Sequence, residues 1–154
     1  MASIHEALGE HLNLPFPAST KQVAGHVEGV KTEVMVINFS DKIMLTVTQE
    51  GRLSHWLHVP LENSNPGTEG MHVFTESTED SLLPLSSLTA TSILGGYGAG
   101  QDTLGQLLAR QIATAIAMKS PAEKRLLVVG LGLHKATLER DSFFAIIDLV
   151  LQCI

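Results

Sequence analysis

Cysteine is almost missing from this chain. Of its 154 residues only Cys153 carries a thiol. One thiol forms no intrachain disulfide and no cysteine zinc site. Long apolar runs are missing too. The longest, LLVVGLGL at 126–133, falls far short of the roughly 20 residues of a bilayer-spanning helix. The N-terminus, MASIHEALGEH, lacks a basic start and an apolar stretch, so no secretory signal is read. Basic residues are scarce: ten Lys and Arg stand against sixteen Asp and Glu, a formal net charge of −6. A nucleic-acid or anionic-membrane surface needs clustered Lys and Arg, so neither partner is expected. These absences lead to the expectation of a soluble protein of the cytoplasm, and also of the nucleus.

Catalytic motifs are equally thin. There is no Gly-x-Ser-x-Gly elbow and no GxxxxGK[ST] loop. Gly96-x-Gly98 and Gly130-x-Gly132 each begin a dinucleotide fingerprint, but position 101 is Gln and position 135 is Lys, so neither completes it. His55-x-x-His58 has a metal-like look. On a strand, however, positions i and i+3 face opposite ways and cannot grip one ion. Cys153 falls at a helix C-terminus, where the dipole disfavours a thiolate. The expectation is a protein with no cofactor, no metal and no catalytic residue, and not an enzyme.

What is present suits one folded domain. Apolar residues make up 44% of the chain and charged residues 17%. At this length folding buries roughly 68–70% of the unfolded surface, enough for a core. Residues 1–19 read as an extension, with a capping-box pattern at Ser3-x-x-Glu6 and stops at Pro15 and Pro17. The main domain spans 20–154. Its first part alternates like strands: KQVAGHV, EVMVINF, KIMLTVTQ and LSHWLHVPL. Glu28-Gly29, Ser40-Asp41 and Glu50-Gly51 supply turns between them, which predicts an antiparallel meander.

Residues 62–88 form a long polar loop with strong turn chemistry at Asn65-Pro66-Gly67. From Arg52 to Arg110 there is no intervening Lys or Arg, while Glu62, Glu69, Glu76, Glu79, Asp80 and Asp102 lie between them. A long acidic loop is either merely solvated or a binding element. TATSIL at 89–94 reads as another strand and GGYGAG at 95–100 as a hinge. Asp102 or Thr103 can cap a helix whose apolar stripe is Leu104, Leu108, Ile112 and Ile116. LLVVGLGL reads as a buried strand. Thr137 can cap a last helix carrying Phe143 or Phe144, Ile147, Val150 and Leu151 inward.

The predicted class is α+β: an antiparallel sheet with two helices packed on one face. Ile43, Leu45 and Val47 should meet the helices. Met44, Thr46, Thr48, Trp56 and His58 then lie on the other face, which is poorly suited to water. These five residues are the candidates for a dimer interface. A one-residue slip of register would exchange the two faces.

The run TEVMVINFSDKIMLTVTQEGRL at 32–53 resembles the signature hairpin of the proteasome assembly chaperone 3 family, fungal type. The likeness includes Thr32-x-Val34, the Phe39-Ser40 corner and Val47-Thr48-Gln49 leading into Gly51. The C-terminal third is similar as well, through Leu94-Gly95, Gln101-Asp102, LLVVGLGL and 138–154. It does not extend to 1–19, and the GYGAG segment departs from the pattern. The resemblance implies a non-enzymatic heterodimer with a proteasome assembly chaperone 4-type protein. It implies binding of proteasome α-type subunits, notably the fifth, during assembly of the 20S α-ring, and release as β-subunits join. Glu76, Glu79 and Asp80 are the candidate α-subunit contacts. The alternatives are an interaction scaffold of similar topology in another pathway and, behind it, a nucleotide-binding protein using GGYGAG.

Overall fold

β-Branched and long aliphatic residues at alternate positions dictate the first three strands, and short turns join them. The computed structural model describes residues 17–62, 87–98 and 100–154. The strands are β1 (Ser19–Val27), β2 (Val30–Asn38) and β3 (Lys42–Gln49). Glu28 and Gly29 both take positive φ, 51° and 76°, and close the β1–β2 hairpin. That geometry matches the right-handed twist of the paired strands. β4 (His55–Pro60), β5 (Thr91–Gly95), helix α1 (Gln101–Lys119), β6 (Leu126–Gly132) and helix α2 (Arg140–Cys153) complete the order.

The six strands form one sheet in the order β1-β2-β3-β6-β4-β5. All neighbours are antiparallel except β3 and β6. The α+β class is as the sequence predicts, and the meander holds for β1–β3. It stops there, because β4 is not beside β3. Glu50-Gly51 turns the chain, but β6 occupies the place between β3 and β4. An apolar run such as LLVVGLG belongs at the centre of a sheet, where strands pair along both of its edges.

Both helices lie on one face. α2 packs over β1 and β2, and α1 over β4, β5 and β6. Val34, Val36, Ile43, Leu45, Val47, Leu57, Val59, Leu127 and Val129 point into that layer and are buried. They meet Leu108, Ile112 and Ile116 of α1 and Ile146, Ile147 and Val150 of α2. Ile43, Leu45 and Val47 therefore face the helices, as the alternation predicts.

The helix ends differ from expectation. α1 begins after Gly100, whose φ of 78° leaves no side-chain cap, so Asp102 sits inside the first turn. α2 begins after Glu139, so Thr137 is not its cap. Leu151 is half exposed, while Ile146 and Cys153 take the inward positions of that stripe. Of the predicted extension, residues 1–16 lie outside the described residues, as does 63–86 of the acidic loop.

Candidate functional site: an open sheet face

Strand register places the second sheet face in straight rows. Ile37 pairs with Met44, Met44 with Val128, and Val128 with His58. In the next row Met35 pairs with Thr46, Thr46 with Gly130, Gly130 with Trp56, and Trp56 with Leu94. Glu33, Thr48 and Gly132 make a third row. The five sequence candidates, Met44, Thr46, Thr48, Trp56 and His58, thus share one face, opposite the helices. Among the described residues no helix or strand packs on it.

Met35, Met44, Trp56, His58 and Val128 are half-buried, and Thr46 is buried. Leu94 is 61% exposed. Sequence reasoning missed Met35, Ile37, Val128 and Leu94. The first two were legible in the EVMVINF alternation. Val128 and Leu94 join the face only through long-range pairing that no local pattern shows. At about 4.8 Å between strands and about 3.3 Å per residue, the face measures about 24 by 26 Å.

Two glycines shape this face. A Cβ on Gly130 would lie 2.8 Å from Cζ3 and Cη2 of Trp56, so the indole rests flat against the bare backbone of β6. A Cβ on Gly132 would lie 1.6 Å from the carbonyl oxygen of Arg52, where the chain crosses the end of β6 to enter β4. Ser54 N–H then donates to the Leu131 carbonyl at 2.9 Å. The Gly130-x-Gly132 pair is thus filled by an indole and a crossing backbone.

On the helix side a polar cluster ties β4, β5 and α1 together. His55 is 5% exposed and points away from His58, as strand alternation requires. Its Nε2 lies 2.9 Å from Ser92 Oγ. Ser92 donates its hydroxyl proton to Asp102 Oδ1, and Gln106 Nε2 donates to Asp102 Oδ2 at 2.8 Å. With the serine proton committed to Asp102, Ser92 Oγ accepts from His55 Nε2–H. That is the reverse of a serine activated by a histidine base. Burial pushes the His55 pKa below its ordinary 6.5, and the Asp102 carboxylate opposes this in part.

Among the described residues no group of three or more His, Cys, Asp or Glu could hold a metal ion. No described helix is long and apolar enough to cross a membrane. Cys153 is buried and its thiol pKa is raised by that burial. Glu76, Glu79 and Asp80 lie outside the described residues.

The described residues define a fold class: a six-stranded, mostly antiparallel sheet with one face under two helices and, among those residues, no element on the other. A similar fold occurs among solved structures. One solved structure of similar fold is a crystal structure of a chaperone complex for yeast 20S proteasome assembly. The TM-score is 0.56 at 16% identity, covering 88% of this chain and 95% of that one. No protein-family model matches the chain, and no curated protein matches it.

Proposed function

We propose that this protein is a non-enzymatic chaperone of 20S proteasome assembly, working as one half of a heterodimer. The observation that carries the reading is the open sheet face, with Met35, Met44, Val128 and Trp56 contiguous on it. A contiguous apolar patch of this kind is usual at a protein interface and unusual on a free surface. A standard interface buries roughly 800 Å² per partner, which a face of these dimensions with projecting side chains can supply. The partner is a second small chaperone of related fold, the proteasome assembly chaperone 4 type. The pair binds α-type subunits, notably the fifth, and leaves when β-subunits compete for the same surface. The site of action is the cytoplasm and the nucleus.

Co-purification from cell extract tests this. The expected catch is a second protein of similar size with free α-subunits and without β-subunits. Recovery on finished 20S particles would overturn the release step. An unrelated partner would instead favour a scaffold in another pathway. Reversing the charge of Glu76, Glu79 and Asp80 is expected to weaken α-subunit recovery and spare the heterodimer.

A further inference from the structure

The hinge GGYGAG has no part in the reading above, yet its first half is packed against a buried histidine. A Cβ on Gly96 would lie 2.5 Å from Nε2 of His55, and one on Gly105 would lie 2.3 Å from Cε1 and 2.4 Å from Nδ1. The imidazole is therefore clamped between the hinge and the first turns of α1. Only glycine at both positions leaves it room. Three elements meet on this ring: β4 supplies it, β5 and the hinge supply Ser92 and Gly96, and α1 supplies Asp102 and Gly105. The next residue of β4, Trp56, faces the other way and pairs with Leu94 of β5. The same two strands thus carry the cluster on one face and the end of the docking surface on the other.

We propose that His55, Ser92 and Asp102 form a proton-operated latch: proton uptake on the buried ring frees β5 and the start of α1 from β4, and with them the Trp56–Leu94 end of the docking face. This rests on the reading of that face as the partner surface.

The physical case is one of unmet charge. In the neutral ring Nε2–H is satisfied by Ser92. A second proton must sit on Nδ1, which has no hydrogen-bond partner among the described residues and is walled by Gly105. The charge enters a ring that is only 5% exposed, and burying a charge without a close hydrogen-bonded partner is costly. Among the described residues Asp102 is the one facing anion, 3.6 Å from Nε2 and half exposed. Lys135 lines the same crevice, with its ammonium paired to Glu28 at 2.6 Å. Among the described residues no other charged side chain lines it; Ser54, Gln101, Leu104, Leu131 and Leu133 complete its walls. Because burial depresses the folded-state pKa below 6.5, the latch is fully closed above that pH. It opens as the pH falls through the lowered value. One proton shifts the closed-to-open ratio by at most about tenfold per pH unit.

Trp56 is the one tryptophan of the chain and reports its own corner. The test follows its emission between about pH 7.5 and about pH 5.5 at constant ionic strength, a window that spans ordinary histidine titration. A one-proton transition is expected in the wild-type chain. It should be absent in His55→Gln, whose amide can replace Nε2–H but cannot be protonated. It should persist in His58→Gln, because His58 lies beside Trp56 on the open face and would otherwise confound it. Asp102→Asn keeps an acceptor for Ser92 but removes the favourable charge, so its midpoint should move to lower pH. That variant decides the matter if His55→Gln does not fold. A flat wild-type response, an unchanged transition in His55→Gln, or an unmoved midpoint in Asp102→Asn overturns the latch. The co-purified pair should dissociate more readily at the acid end in wild type than in His55→Gln, and equal dissociation also overturns it. If no pair is recovered at neutral pH, the functional reading has failed, and the emission titration still decides the latch.

Discussion

A missing side chain decides several contacts in this protein. Gly105 and Gly96 admit the His55 ring, Gly130 admits the Trp56 indole, and Gly132 lets the chain cross the end of β6. Gly105→Ala drives a methyl group into an imidazole that is itself held by Ser92. Overpacking of this kind typically costs about 1–3 kcal/mol. Urea unfolding is expected to show a loss of that size, and a stability equal to wild type would mean the ring is not clamped. The sequence announces these glycines without their reason. Gly96, Gly130 and Gly132 stand in Gly-x-Gly spacings and so resemble pieces of a phosphate loop, while Gly105 has no such signal. Their partners, His55 and Trp56, are distant in the chain and become visible only in three dimensions. His55 and His58, by contrast, are separated onto opposite faces by strand alternation alone, and that was legible from their spacing.

At the scale of elements, the centre of the sheet is fixed by a clasp at the start of β6. Arg125 pairs with Glu123, with Nε and Nη2 each 2.9 Å from a carboxylate oxygen. Its Nη1 also donates to the Phe39 carbonyl at 2.7 Å. This joins the β2–β3 corner to the entry of β6, where Lys42 pairs with Leu126. The guanidinium hydrogen bond pulls the Glu123 pKa from 4.5 down to about 2. A depressed carboxyl pKa stabilises the fold above pH 4.5, and the contribution is lost as the pH falls toward about 2. Thermal unfolding against pH should therefore show a smaller acid-side loss in Glu123→Gln than in wild type. Some loss should remain, because Lys135 and Ser142 hold the Glu28 carboxyl low as well. Identical acid profiles would show that the clasp adds nothing. The strands and helices were readable from period-two and helical spacing. The position of β6 was not, since its pairing with β3 is long-range and no neighbouring turn specifies it.

At the scale of the molecule, the fold presents a layer with one side covered by helices and one side bare of them among the described residues. The five candidates on the bare side were legible because alternation fixes which residues share a face. Their neighbours from β2, β5 and β6 were only partly so. Met44 lies on the central strand β3 and is half-buried, so Met44→Lys can lift its ammonium toward solvent at a stability cost within about 1 kcal/mol. That variant should lose the heterodimer in co-purification while unfolding at nearly the wild-type temperature. Alone and concentrated, the wild-type chain is expected to self-associate in sedimentation runs and the variant to remain monomeric. Unchanged recovery of the pair would place the interface elsewhere. The lone parallel pairing has a further effect during synthesis. About 80 residues must be added after β3 before β6 is complete, about 4–16 s at about 5–20 residues per second. Throughout that interval the nascent three-stranded hairpin offers Ile43, Leu45 and Val47 on an unprotected edge. The newborn chain is thus itself most in need of protection from wrong strand pairing while it is still on the ribosome.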